Sequence, residues 1–311
     1  MSTTSNLFSA INYCRGTIDK YDRVLEQVQR CPTIASLRSV NEALGKLTAQ
    51  NQSPVTEFAE VISRDLSLTA RLLRLVNSVF GGLSVKITSI EEAIFFLGLR
   101  QIRQLTMTTR IIDELESFET EGLEFEWKKV WRHSIGSGIL ARELLSMTQG
   151  IMEDDTYYIC GLLHEIGKLV MLNVFPEQLR DSVFFTGDTP DAIAAKEKER
   201  FGWNHAEIGA IYLEVNGLPR EIVEAVLFHH SPGAAFHQKG YAAGIQVADA
   251  IVRYGGCEEI FEPEVEVAYG DWETLQGWEI LYSGEAAESQ YARATVLSSI
   301  ERLPSILQGL L

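Results

Sequence analysis

The sequence predicts an all-α protein, and three observations carry that prediction. Apolar residues recur at helical spacing through most of the chain. Capping residues and glycines punctuate these stretches at helix-length intervals. The alternation expected of strands is confined to one short stretch in "EVEVAYGDWETLQGWEIL", after Gly256. Together they describe a helical bundle, in which each helix buries an apolar stripe against its neighbours.

Taken in order, "VTEFAEVISRDLSLTARLLRLVNSVF" places Phe58, Val61, Ile62, Leu66, Leu68, Leu72, Leu73, Leu75 and Val76 at helical spacing. It reads as two helices broken near Asp65, with a turn at Gly81 and Gly82. "TSIEEAIFFLGLRQIRQLTM" opens on Thr88 and Glu91, a capping-box pair; Gly98 ends that helix and another starts near Arg100. Arg100, Arg103 and Arg110 on the latter read as a solvated face. "WKKVWRHSIGSGILARELL" is amphipathic, with Trp127 and Trp131 paired at i, i+4, and Gly136 and Gly138 allow a close helix approach. "DTYYICGLLHEIGKLVMLNVF" is a helix interrupted near Gly167 and closed by Pro176. "TPDAIAAKEKERFGWNHAEIGAIYLEVNGLP" holds two helices, the second capped by Asn204 and ended by Gly217 and Pro219. "REIVEAVLFHHSP" is a short helix stopped by Pro232, and "YAAGIQVADAIVRYGG" one closed by paired glycines. One or two helices finish the chain in "ESQYARATVLSSIERLPSILQGLL".

Composition narrows the function classes. The chain has 311 residues and a net charge of −16, so most of its surface repels nucleic acid. Eleven acids and two arginines fall between Gly256 and Leu311, which read as a solvated acidic face. Cys14, Cys31, Cys160 and Cys257 form no CxxC pair, which favours reduced thiols over a thiolate metal site. No apolar run approaches the roughly 20 residues that span a bilayer, and "MSTTSNLFSAINYCRG" lacks the pattern of a signal peptide. The expectation is a cytoplasmic protein without membrane contact.

The chemistry concentrates in the second half. All six histidines lie between His133 and His237. His133, His164, Glu165, His205, His229, His230 and Asp249 fall on successive helical segments, as when facing helices of a bundle each project a ligand inward. Imidazole and carboxylate without thiolate suit iron first, then manganese, zinc or magnesium. On a helix His164 and Glu165 stand about 100° apart, so they converge on an ion beside the helix. The His229–His230 pair can do the same or serve two ions, and two ions can polarise a phosphate and hold a nucleophilic water. His237, in the polar loop "AFHQKG", reads as a hydrogen-bonded residue outside this set. Each histidine alone is more often a packed or capping residue, and His229 and His230 also suit a helix C-terminus, where the dipole favours a cation.

The order His, His-carboxylate, His, His-His, Asp resembles the HD superfamily of metal-dependent phosphohydrolases. "ISRDLSLTARLLRLVNSVFGG", "ITSIEEAIFFLGLRQIRQL", "WRHSIGSGILAR" and "GLLHEIGKLVM" narrow the resemblance to the HDOD domain, its bacterial signalling relative, over Cys31 to Gly255. The resemblance implies an HD-type bundle at residues 131–255, preceded by a helical HDOD-specific half at 1–130 and followed by the acidic extension at 256–311. It implies metal-ligand roles for the seven residues above, and a phosphate-facing, catalytic role for Lys168. Two departures stand out. Glu165 replaces the family's bridging aspartate, moving the carboxylate outward by about one C–C bond, ~1.5 Å. The Gly-Tyr-Pro motif of the cyclic dinucleotide phosphodiesterase branch is missing after His230, where "SPGAAFHQKGYAAG" stands instead. The reading that follows is a non-catalytic signalling module with a protein partner. The alternatives are a phosphohydrolase acting on a nucleotide or other phosphate ester, and a di-iron ligand or redox sensor.

Overall fold

A computed structural model describes residues 18–31, 55–64, 66–79, 86–99, 102, 106, 127–148, 156–175, 189–256, 268–283 and 286–310. The described residues contain helices and no strand. In chain order these are α1 (Ile18–Arg30), α2 (Val55–Ser63), α3 (Leu66–Val79), α4 (Ile90–Leu97), α5 (Trp127–Ser146), α6 (Thr156–Leu163), α7 (Ile166–Val174), α8 (Pro190–Phe201), α9 (His205–Val215), α10 (Arg220–Leu227), α11 (Lys239–Tyr254), α12 (Gln276–Tyr282) and α13 (Ala286–Leu310). Short 3-10 turns occupy Pro232–Ala234 and Asp271–Thr274. No helix among the described residues is long and apolar enough to cross a membrane.

The all-α expectation holds, and many boundaries follow local chemistry. Gly98 ends α4 at φ 81°, donating its N–H to Ile94 O. Asn204 caps α9 in a reciprocal box with Glu207. The start of α4 differs by one residue from the sequence reading. Ser89 is the cap and Glu92 its partner, because Glu92 Oε2 takes the N–H groups of both Thr88 and Ser89, at 2.7 and 3.3 Å. Asn77 of α3 exchanges two hydrogen bonds with the backbone of Ile87, at 2.7 and 2.8 Å, and so ties the approach to α4.

A larger difference concerns His164 and Glu165. They do not lie within a helix interrupted at Gly167; they form the turn between α6 and α7. Gly167 sits inside α7, where its missing side chain serves packing. The readings at Gly81, Gly82, Arg100, Arg103 and Arg110 fall outside the described residues, and of the stretch that suggested a short strand the described part, 268–281, forms turns and helix instead.

The bundle is organised around α5, α6, α7, α9 and α11. α5 packs on α6 and α11, and α7 packs on α9. α1 lies against α7 and α9, helped by the Tyr21–Trp203 ring contact at 6.2 Å. The segment after Gly256 is more than a solvated face. Trp272, Trp278, Tyr282, Val296 and Leu303 are buried, and α13 packs on both α5 and α3. Its aromatic residues join the core, while acids such as Asp271 remain outside. Tyr282 Oη–H donates to Leu144 O at 2.9 Å, fixing α12 to the end of α5.

Candidate metal centre

Three helices and two turns deliver the seven predicted residues to one place. His133 lies in α5 and Asp249 in α11. His164 and Glu165 lie at the α6–α7 turn, His205 is the first residue of α9, and His229 and His230 follow the end of α10. Glycines let these backbones meet. A Cβ on Gly161 would lie 2.6 Å from Ser137 O, one on Gly138 2.7 Å from Tyr158 O, and one on Gly167 1.8 Å from His205 O. Real side-chain carbons do not approach oxygens so closely, so α5 touches α6, and α7 touches α9, through bare backbone. Gly136 is the lesser contact, facing the Val252 methyls at 3.3 Å.

The donors fall into two groups, His133–His164–Glu165–Asp249 and His205–His229–His230, and in each the ligand atoms lie within 4.8 Å of one another. In the first, His133 Nε2 is 3.1 Å from Asp249 Oδ1 and 3.4 Å from His164 Nε2. In the second, His205 Nε2 and His230 Nε2 are 2.8 Å apart, and the His229 ring centroid is 4.0 Å from that of His230. Glu165 reaches both groups: Oε1 is 3.7 Å from His164 Nε2, and Oε2 is 3.2 Å from His205 Nε2. Donors about 2.1 Å from a tetrahedral ion are roughly 3.4 Å apart, so these spacings suit a metal.

Hydrogen bonding orients the imidazoles. His229 Nδ1–H donates to Val226 O at 2.7 Å, His164 Nδ1–H to Gly161 O at 2.7 Å, and His205 Nδ1–H to Glu197 Oε2 at 2.6 Å. His230 Nδ1–H donates to Asp191 Oδ1 at 3.1 Å. These proton positions are assigned from the acceptors that each Nδ1 faces. Each of the four rings then turns an Nε2 lone pair inward, as ligating histidines do. His229 Nε2 is buried with no hydrogen-bond partner, and the lone pairs of His205 and His230 face each other. Imidazole lone pairs crowded this way are favoured by a cation between them, and the donor set fits a divalent metal.

The charges agree. Burial, with the neighbouring His230, His164 and His205, holds the pKa of His229 well below its ordinary value, which favours the neutral ring. Burial also lowers His230, against the opposing pull of Asp191. At Asp249 burial pushes upward, but the Arg253 guanidinium and the hydrogen bond from His133 outweigh it and keep a carboxylate. Glu197 is likewise held ionised by His205 against its burial.

Lys168 lies in the same cluster, with its ammonium 3.2 Å from Glu165 Oε2 and only 6% of the residue exposed. His237 stays outside; its backbone N–H donates to Glu224. Three participants escaped the sequence reading. Glu197 orients His205, and Asp191 orients His230. Arg253 Nε–H donates to Asp249 Oδ1 at 2.9 Å, with Nη2 3.7 Å from Glu165 Oε1. The Asp249–Arg253 spacing of four residues was a usable signal. Glu197, one charge among many in "AAKEKERF", carried none.

Comparison with known proteins gives a consistent picture. The HDOD domain family model matches residues 34–232. An uncharacterized protein of Treponema pallidum (strain Nichols) is 28% identical over 211 residues, covering 67% of this chain and 40% of the relative; the chain thus spans well under half of that protein's length. An HDOD domain protein from Geobacter sulfurreducens, of unknown function, superposes with a TM-score of 0.71 at 23% identity, covering 94% of this chain and 99% of the other. A proposed phosphohydrolase from Shewanella amazonensis SB2B does so with a TM-score of 0.67 at 23% identity, covering 93% and 98%. These two likenesses show the fold.

Proposed function

The chain belongs to the HDOD domain family, and on that premise we propose that it is a non-catalytic bacterial signalling module, cytoplasmic, with a divalent metal centre held inside its HD-type bundle. The observation that carries this reading is enclosure. His133, His164, His205 and His229 are at most 1% exposed and Asp249 is 4% exposed; His230 presents only 12% of its side chain at the rim. A hydrolase must bring phosphorus to the metal-bound water. Here the carboxylates are engaged by Lys168 and Arg253, and a phosphate ester would have to displace these pairs to enter. The metal, iron favoured over manganese, zinc or magnesium on ligand type, then works as a structural or sensing element.

A protein partner reads the state of the bundle through residues 1–130. Exposed Leu66, Phe95 and Phe96 on α3 and α4 support that assignment: Phe95 is 83% and Leu66 82% exposed. One observation favours the phosphohydrolase reading instead, namely that Glu165 extends one oxygen toward each donor group, as a bridge between two ions would. Untagged protein, purified without a nickel column, separates the two. It is assayed for bound metals and screened with iron or manganese against phosphate monoesters, nucleotides and cyclic dinucleotides. The expected result is retained metal without turnover above the free-metal blank. Turnover abolished by His164→Ala would establish the hydrolase instead.

A further inference from the structure

We infer that the centre holds one divalent ion, seated on His205, His229 and His230, and that the Arg253 guanidinium supplies the positive charge a second ion would bring to Asp249 and Glu165. The inference rests on the metal-binding part of the reading above, and the hydrogen bonds distinguish the two donor groups. At His133 and His164 the protons already suffice. His133 Nε2–H donates to Asp249 Oδ1 at 3.1 Å and faces His164 Nε2 at 3.4 Å, so a donor meets two acceptors. At His205, His229 and His230 every Nδ1–H is committed to Glu197, Val226 O or Asp191. Three Nε2 lone pairs remain, two of them 2.8 Å apart and the third buried without a partner. The second group therefore calls for a cation and the first does not.

Arg253 explains the difference. It lies one helical turn after Asp249, is 7% exposed at its side chain, and spans the carboxylates of Asp249 and Glu165 at 2.9 and 3.7 Å. Lys168 takes the other oxygen of Glu165. Around the centre the carboxylates of Glu165, Asp249 and Glu197 stand against Lys168 and Arg253, a balance of one negative charge before the imidazoles are counted. One divalent ion takes the set to a single positive charge, with the rim carboxylate of Asp191 nearby. Two ions would leave three positive charges in an enclosed, low-dielectric space, where uncompensated charge costs several kcal/mol or more.

The test is Mn(II) loading of the full chain, read by elemental analysis and by electron paramagnetic resonance, neither of which depends on an activity. Wild-type protein is expected to bind about one equivalent with the six-line spectrum of an isolated Mn(II). His230→Gln, at the partly exposed rim, should lose the ion, whereas His133→Gln should keep it. Arg253→Met should admit a second ion and broaden the spectrum by exchange coupling, and Arg253→Lys should restore the single ion. Circular dichroism establishes that each variant is folded, and the wild-type count with the two histidine variants decides the matter even where Arg253→Met does not fold. Two coupled ions in the wild type would overturn the inference and leave the metal-binding reading standing. So would a single ion that survives His230→Gln and leaves with His133→Gln. Wild-type protein that takes up no Mn(II) would overturn both.

Discussion

Gly167→Ala is the sharpest structural test of the centre, because one methyl group meets three consequences. The new Cβ would lie 1.8 Å from His205 O and 2.7 Å from Gly209 N. Carbon and oxygen settle at about 3.3–3.6 Å, so α7 and α9 must part by roughly 1.5 Å. Alanine in a helix gains ~1 kcal/mol over glycine, but overpacking a close backbone contact costs ~1–3 kcal/mol and sometimes more, so destabilisation wins. At about 2–4 °C per kcal/mol the melting temperature falls by several degrees. The same parting shifts His205 relative to His230, whose Nε2 now lies 2.8 Å from that of His205, and should weaken Mn(II) uptake. Gly136→Ala is the control: its Cβ meets the Val252 methyls at 3.3 Å and Leu303 Cδ2 at 3.5 Å, side-chain tips that can give way, and the helix-propensity gain offsets the crowding. Thermal melts and Mn(II) titration of both variants read the outcome. Gly167→Ala with wild-type melting and wild-type Mn(II) uptake would refute the argument that bare backbone contact builds the centre.

Three further outcomes are expected. Glu197→Gln, which removes the charge holding His205 Nδ1–H at 2.6 Å, should weaken Mn(II) binding by about 10–100-fold with little change in the helical signal. Tyr282→Phe, which removes the hydrogen bond to Leu144 O, should cost about 1 kcal/mol in denaturant unfolding; no change would show that α12 is held by packing alone. Burial raises the Glu214 carboxyl from 4.5 to about 7, against the pull of Arg220, so the folded state holds a proton that the unfolded state has lost. That contribution to stability is full below pH 4.5 and disappears as pH rises to about 7; Glu214→Gln should flatten the decline in melting temperature across that window, and an unchanged slope would remove Glu214 from the account.

Much of this was legible in the sequence because the signals were local. The cap at Asn204, the stop at Gly98 and the break between α2 and α3 are properties of a few adjacent residues. The seven donors were legible as a set because buried histidines beside carboxylates are rare and their order is distinctive. What was not legible depends on geometry between distant segments. Nothing in "LLHEIGK" distinguishes a helix interior from a turn, yet the turn is what aims adjacent side chains at different donor groups. Trp272, Trp278 and Tyr282 were obscured by the acids around them, because net charge describes a surface and says little about which aromatic residues face inward. Glu197 becomes a partner of His205 only when α8 and the start of α9 fold back on each other.

The placement of the donors at helix ends has a consequence for how the centre responds to force from outside. Five of the seven sit at a turn or on the first residue of a helix, so their spacing is set by how α6, α7, α9 and α10 abut rather than by the geometry of any one helix. Such contacts shift as units when a partner presses on a packed bundle, because close-packed interiors transmit strain. α1 packs directly on α7 and α9, the two helices whose backbones touch at Gly167. A load on α1 therefore acts on the contact that holds Glu165 against His205. On the proposed reading, partner binding at the N-terminal half and metal occupancy in the bundle should be linked, and linkage is reciprocal. A partner that tightens metal binding must itself bind the metal-loaded protein more tightly, by the same factor. Equal partner affinity for metal-loaded and metal-free protein would show that the centre is a fixed brace and carries no signal.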